Sequence, residues 1–354
     1  MKAFLPAALL ALPVGFLAMA QAPVAPPAPV AADAADYIRY VAAPGGEGLD
    51  AASPDRLQTA ITRFEKDGVA IDLVGVVHLA DAVYYAVLNE RLAAYDVVLY
   101  EMVGGPHRPG EAPPADGETG IESVRQLQQL AKSFLGLEFQ LEVIDYGAPN
   151  FVHADMDWAE MNALMKARNE TLLTLFTRAS ALAEEGGVAG LPSSEEAMEA
   201  MMKRVFNAVL TGDNAGLKRS VAPFLSEAEG FIAQLEGEDG SVLVSERNRV
   251  VMEKLAELRA QKGRGSYAIF YGAGHMPDFE KRLLAEGFTK GEEVWLDAWS
   301  IPAGSTPGGG ASPFEGVLRL LSENPEIMNG LRDLGTTLED LGGALKSLTP
   351  PAGQ

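Results

Sequence analysis

The sequence carries one unit twice, about two hundred residues apart, and this repetition restricts the possible folds more than any other feature. In the first copy an apolar run over 69–77 contains Gly75-Val76-Val77-His78. A helical stretch follows, and a second apolar run, Asp96-Val97-Val98-Leu99-Tyr100, ends on Glu101. In the second copy the run 267–271 leads into Gly272-Ala273-Gly274-His275. It too is followed by a helical stretch and an apolar run, Glu293-Val294-Trp295-Leu296, ending on Asp297. The acid lies 23 residues past the histidine in the first copy and 22 past it in the second. Apolar runs alternating with helical stretches predict α/β architecture: a central, mostly buried sheet built from two similar halves. Ligands of such sheets gather beyond the carboxyl ends of the strands, so both imidazoles are expected to face one crevice.

Composition narrows the chemistry. The 354-residue chain has a net charge of −21, spread over its helical stretches, so its summed field repels polyanions and argues against nucleic-acid binding. It has no cysteine, which removes disulfides, thiolate nucleophiles and cysteine-held metals. A metal would have to be bound by histidine, carboxylate and water, a set that suits manganese, cobalt, zinc or iron without choosing among them.

The N-terminus reads as an export signal. Lys2 is the only charge before Asp33, the apolar run 3–19 contains Pro6 and Pro13, and Ala18-Met19-Ala20 offers a cleavage site. Residues 1–20 are therefore expected to be removed, leaving an exported protein, periplasmic or secreted, with no transmembrane span. An Ala/Pro-rich spacer over 21–36 and a folded domain over 37–300 follow.

Within that domain, Ser53-Pro54 suggests the start of a short helix running to Lys66. A helix over 81–95 would turn Val83, Val87, Leu88 and Leu92 inward, and 140–146 reads as a third core strand. Residues 157–261 read as a long all-helical insertion, with a capping box from Ser193 to Glu196. The Pro/Gly-rich segment 103–119 reads either as a lid or as a simple insertion, and His107 within it has no assigned role. After a linker over 301–313, the segment 314–354 places Leu331, Leu334, Leu338, Leu341, Leu345 and Leu348 in steps of three and four. This stripe suits packing against the protein's own body, self-association, or contact with a membrane surface.

His78 and His275 each have a glycine three residues earlier. One such pair alone also fits a core histidine, but the matched frame makes both candidates. Glu101 would be costly to bury unpaired, and His, His and Glu together have the composition of a catalytic divalent-metal centre. Asp297 reads as a ligand, an orienting acid or an ordinary strand-end acid. His153 and Asp155 stand at a strand–helix junction, where Asp155 could simply cap the next helix. Arg247, in Glu246-Arg247-Asn248, could bind a substrate carboxylate, steady an oxyanion, or pair with a helical neighbour.

The arrangement resembles the TraB/GumN/TIKI family, related to the ChaN-like haem-binding lipoproteins and the erythromycin esterases. The matching stretches are Val74-Gly75-Val76-Val77-His78 with Tyr84-Tyr85, Val98-Leu99-Tyr100-Glu101, Glu246-Arg247-Asn248, and Tyr271-Gly272-Ala273-Gly274-His275-Met276, spread over residues 37–300. The resemblance implies a metal-dependent protease with His78, Glu101 and His275 as ligands. Glu101 would also be catalytic, supported by Arg247 and Asn248, while Tyr84, Tyr85, His153, Asp155 and Asp297 would contact substrate or the ligands. The expected activity is a metal-dependent hydrolase acting on a peptide or small-molecule substrate. The rival expectation is a non-catalytic protein binding haem or another ligand in the same crevice.

Overall fold

A computed structural model describes residues 37–43, 54–106, 135–170, 211–227 and 240–303, with a few single positions between these segments. The signal segment, the spacer, His107, the Ser193 capping box and the leucine stripe lie outside the described residues, as does most of segment 103–119. No helix among the described residues is long and apolar enough to cross a membrane.

The described chain is mixed α/β. In order it forms β1 (Ile38–Val41), β2 (Asp55–Lys66), β3 (Val69–Val76), β4 (Leu79–Ala80), α1 (Ala82–Leu92), β5 (Val97–Tyr100), β6 (Glu138–Phe139), α2 (Gln140–Val143), β7 (Phe151–His153), α3 (Trp158–Ala167) and α4 (Asn214–Ser226). A π-helical turn (Val242–Glu246), α5 (Arg247–Lys262), β8 (Ser266–Gly272), a 3-10 turn (Ala273–His275), α6 (Met276–Ala285) and β9 (Thr289–Ile301) complete it.

Seven of these strands make one mixed sheet. β3, β8, β5 and β7 run parallel side by side. β2 is antiparallel to β3, and β9 is antiparallel to β2. β9 covers one edge of β2, while β1 and β3 share the other. β3, β5 and β8 are buried on both faces, which is why their sequences read as continuous apolar runs. The buried exception, Asp72 on β3, accepts two bonds from Arg63 at 2.9 Å and one from the Tyr95 hydroxyl at 2.6 Å.

Three local expectations are corrected. Residues 55–66 are a strand, not a helix. β-branched Thr59, Ile61 and Thr62 suit a pleated surface, and pairing along both edges outweighs a local cap signal worth about 1 kcal/mol. Residues 140–143 are a helical turn rather than a strand, and the neighbour of β5 is β7. In α1, Tyr84 and Tyr85 turn inward with Leu88 and Leu92, leaving Val83 exposed to 74%.

The duplicated unit also differs between its copies. After α1 the chain returns as β5, parallel to and beside β8; after α6 it returns as β9, on the far side of β2. α3, α4 and all but the last residue of α5 fall within 157–261, but much of that interval lies outside the described residues.

Candidate functional site

The register places three strand ends level with one another. Val76 pairs with Gly272, and Tyr100 pairs with Phe270. His78 therefore follows the end of β3, His275 follows β8 in the middle, and Glu101 follows β5 on the other side. All three stand at the carboxyl ends of parallel strands.

Glu101 and His275 meet directly, with Glu101 Oε1 3.6 Å from His275 Nε2. The other carboxylate oxygen of Glu101 accepts the Gly272 N–H at 2.8 Å. A side chain at Gly272 would put its Cβ 3.3 Å from that oxygen, so this glycine keeps space for the carboxylate.

Arg247 holds the pair from below. Its guanidinium is 4% exposed and donates to Glu101 Oε1 at 2.7 Å, to both oxygens of Asp155 at 2.9 and 2.7 Å, and towards His275 Nε2 at 3.3 Å. A fork of fixed donors suits such bidentate binding. The π-helical turn delivers this arginine. The Ser241 hydroxyl accepts the first free N–H groups, and Arg247 itself donates to the Leu243 carbonyl at 3.3 Å. Asp155 is thus no helix cap. That role belongs to Asp157, which accepts the Glu160 N–H at 2.7 Å. Asp155 also accepts the N–H groups of Met102 and Met156, tying the chain after Glu101 to the arginine.

Charge follows from this geometry. Burial alone would raise the Glu101 pKa, but the Arg247 charge, with His275, His78 and the Gly272 N–H, outweighs it and holds the carboxyl well below the usual range. Glu101 is therefore ionised at neutral pH. Burial pulls His275 down to about 4 against the opposing pull of Glu101, so the imidazole is neutral.

The tautomer of His275 can be read from its neighbours. The Asn248 amide group donates to the His275 carbonyl at 3.0 Å and to Asp278 at 2.8 Å, so its oxygen faces His275 Nδ1 at 2.7 Å. Nδ1 then carries the proton and Nε2 the lone pair. The ring is further fixed edge-on against Tyr271 at 5.3 Å.

His78 is exposed, and its Nδ1 lies 3.0 Å from Gln140 Oε1. Tyr84 and Tyr85 do not line the site. Their hydroxyls bond Thr59 at 2.8 Å and the Val77 carbonyl at 2.9 Å, which ties α1 to the backbone just before His78. His153 donates from Nε2 to the Met102 carbonyl at 2.6 Å, a structural tie of the segment after Glu101. Asp297 is remote: it is exposed on β9 and accepts from Gln58 at 2.6 Å. Gln140 was not foreseen. A two-residue ladder between β4 and β6 brings it beside His78, and pairing that short leaves no periodic mark in the sequence.

A metal fits these residues only in part. The 3.6 Å between Glu101 and His275 could be spanned by one ion with ligand distances of about 2 Å. Arg247, however, already contacts both atoms. Among the described residues no three His, Asp or Glu side chains group closely enough to hold an ion. Compared with protein-family models, with curated proteins and with solved structures, the chain matches none.

Proposed function

We propose that this chain is an exported hydrolase, cleaving peptide bonds, that works at the cluster of His78, Glu101, Arg247 and His275. The observation that carries this reading is the Glu101–His275 pair: an ionised, half-buried carboxylate beside the lone pair of a buried, neutral imidazole, at the ends of adjacent parallel strands. Perturbed, mutually opposed ionisations of this kind are characteristic of acid–base sites. In the reaction a water oxygen bonds to the acyl carbon while one imidazole Nε2 takes the water's proton. The C–N bond then breaks, and the leaving amine receives that proton. Glu101 steadies the charge that appears on the ring, and Arg247 with Asp155 keeps Glu101 in place.

A divalent ion, which the family resemblance adds, would call on His78, Glu101 and His275 and would supply carbonyl polarisation and a more acidic water. No step is assigned to it, because Arg247 occupies the contacts such an ion would need. The resemblance to the TraB/GumN/TIKI family, the two-halved sheet with its helical insertion over 157–261, and removal of residues 1–20 on export belong to the same proposal.

The test is cleavage of a quenched fluorogenic peptide library by protein treated with chelator and then, separately, supplied with manganese, cobalt, zinc or iron. We expect turnover that falls at least about 100-fold in Glu101→Gln and His275→Asn, both still folded. Absence of cleavage under every condition would reject the reading, and a bound haem in the absorption spectrum would favour the rival.

A further inference from the structure

His275 is not the only imidazole with a carbonyl oxygen of a buried amide side chain on its Nδ1. Gln140, 4% exposed, stands to His78 as Asn248, fully buried, stands to His275. The NH2 group of Gln140 donates to the Tyr146 hydroxyl at 2.9 Å, which turns Oε1 towards His78 Nδ1. Backbone pairing fixes the approach: the Gln140 N–H donates to the His78 carbonyl at 2.9 Å, and β4 pairs with β6 alongside. The two amides stand more than a hundred positions apart in the chain, yet they make the same bond to the same ring atom.

We infer that Gln140 and Asn248 are paired positioning residues that hold both imidazoles as Nδ1–H tautomers, so that two Nε2 lone pairs are presented at one end of the sheet. A ring held this way accepts a proton through Nε2, which in His275 also faces the Arg247 guanidinium at 3.3 Å, but cannot donate from it until it has been charged. Both histidines thereby become acceptors, and neither begins the cycle as the acid. This rests on the hydrolase reading for its purpose, but not for its test. His153 provides the internal contrast: its Nε2 donates to the Met102 carbonyl, so it must be the opposite tautomer.

The experiment is long-range nitrogen–proton correlation NMR on the full chain with labelled histidine at pH 7.5 after chelator treatment, each signal assigned by its own His→Gln variant. His78 and His275 should show the pyridine-like nitrogen at Nε2, and His153 should show it at Nδ1. Gln140→Leu should move His78 towards the Nε2–H form, and Gln140→Glu, whose carboxylate still accepts from Nδ1, should restore it. Turnover should fall about 10- to 100-fold in Gln140→Leu and recover in Gln140→Glu. An Nε2–H signal from His78 or His275 in the unaltered protein would overturn the inference, as would a His78 tautomer indifferent to Gln140→Leu. Correct tautomers without hydrolysis would leave the inference standing and reject the proposed reaction alone.

Discussion

The two copies of the repeated unit begin alike and end in different places. β3 and β8 lie side by side and in register, and a histidine follows the end of each within three residues. The strands that close the two copies then part. β5 returns beside β8 and delivers Glu101 to within 3.6 Å of His275. β9 crosses to the far edge of β2, where Asp297 accepts from Gln58. Equal spacing along the chain therefore does not mean equal placement in space. The acid that meets a histidine is the one whose strand runs parallel to the histidine strand.

The difference between the copies should be largest at the arginine, which serves the first acid and not the second. Arg247→Met leaves Glu101 and Asp155 as neighbouring buried carboxylates without a counter-charge. We expect a loss of about 3–5 kcal/mol in urea unfolding, because removing one partner strands the others. A loss below about 1 kcal/mol would mean that water reaches the cluster freely. Asp155→Asn, which keeps the shape and two of the acceptor contacts, should cost less than Arg247→Met.

The second effect is a pH dependence that belongs to His275. Its folded pKa is depressed to about 4 from an ordinary 6.5, so between these values the unfolded chain binds more protons than the folded one. Stability from this group is complete above about pH 6.5 and is lost as pH falls towards 4, by on the order of 3 kcal/mol in all. Glu101, also depressed, adds its own loss at still lower pH. Urea midpoints from pH 7 to 4 should show this slope in the unaltered protein and a shallower one in His275→Asn. Equal slopes would indicate that the ring is solvated.

Much of this site could be read from the chain. Gly272, His275 and Glu101 end strongly apolar strands, and Arg247 and Asn248 begin a long helix, so pattern and position coincide. What escaped was set by distant pairing. β2 presents a cap-like start, yet its partners β1, β3 and β9 decide its state. Gln140 reaches His78 across 62 positions through a ladder of two residues, too short to impose alternation. Asp155 resembled a cap because the cap, Asp157, is only two residues away.

A third, smaller contrast lies in the glycines. A Cβ at Gly272 would stand 3.3 Å from a Glu101 oxygen, whereas at Gly75 the nearest atoms are at 3.4 Å, ordinary contact. Gly272→Ala should therefore push the carboxylate off its N–H and cost about 1–3 kcal/mol, as crowding of a packed site does, together with a drop in turnover. Gly75→Ala should cost less than 1 kcal/mol. Similar effects at both positions would mean that the first histidine's turn is as closely fitted as the second's.

The smallest effect should be at Asp297, and it decides whether the repetition extends to function. Its carboxylate is exposed and accepts one bond, from Gln58, whose own oxygen is taken by Arg39 at 2.8 Å. Asn at this position keeps an oxygen acceptor and removes only a solvated charge. Such surface changes usually fall within about 0.5 kcal/mol. Asp297→Asn should accordingly leave the urea midpoint and turnover of the fluorogenic peptide unchanged, while the matching change at the first acid, Glu101→Gln, abolishes turnover. The chemistry would then belong to one acid shared by both histidine turns. If Asp297→Asn instead removed activity while stability held, the second copy would take part through a residue three strands away from His275, and parallel pairing would not be what selects the acid.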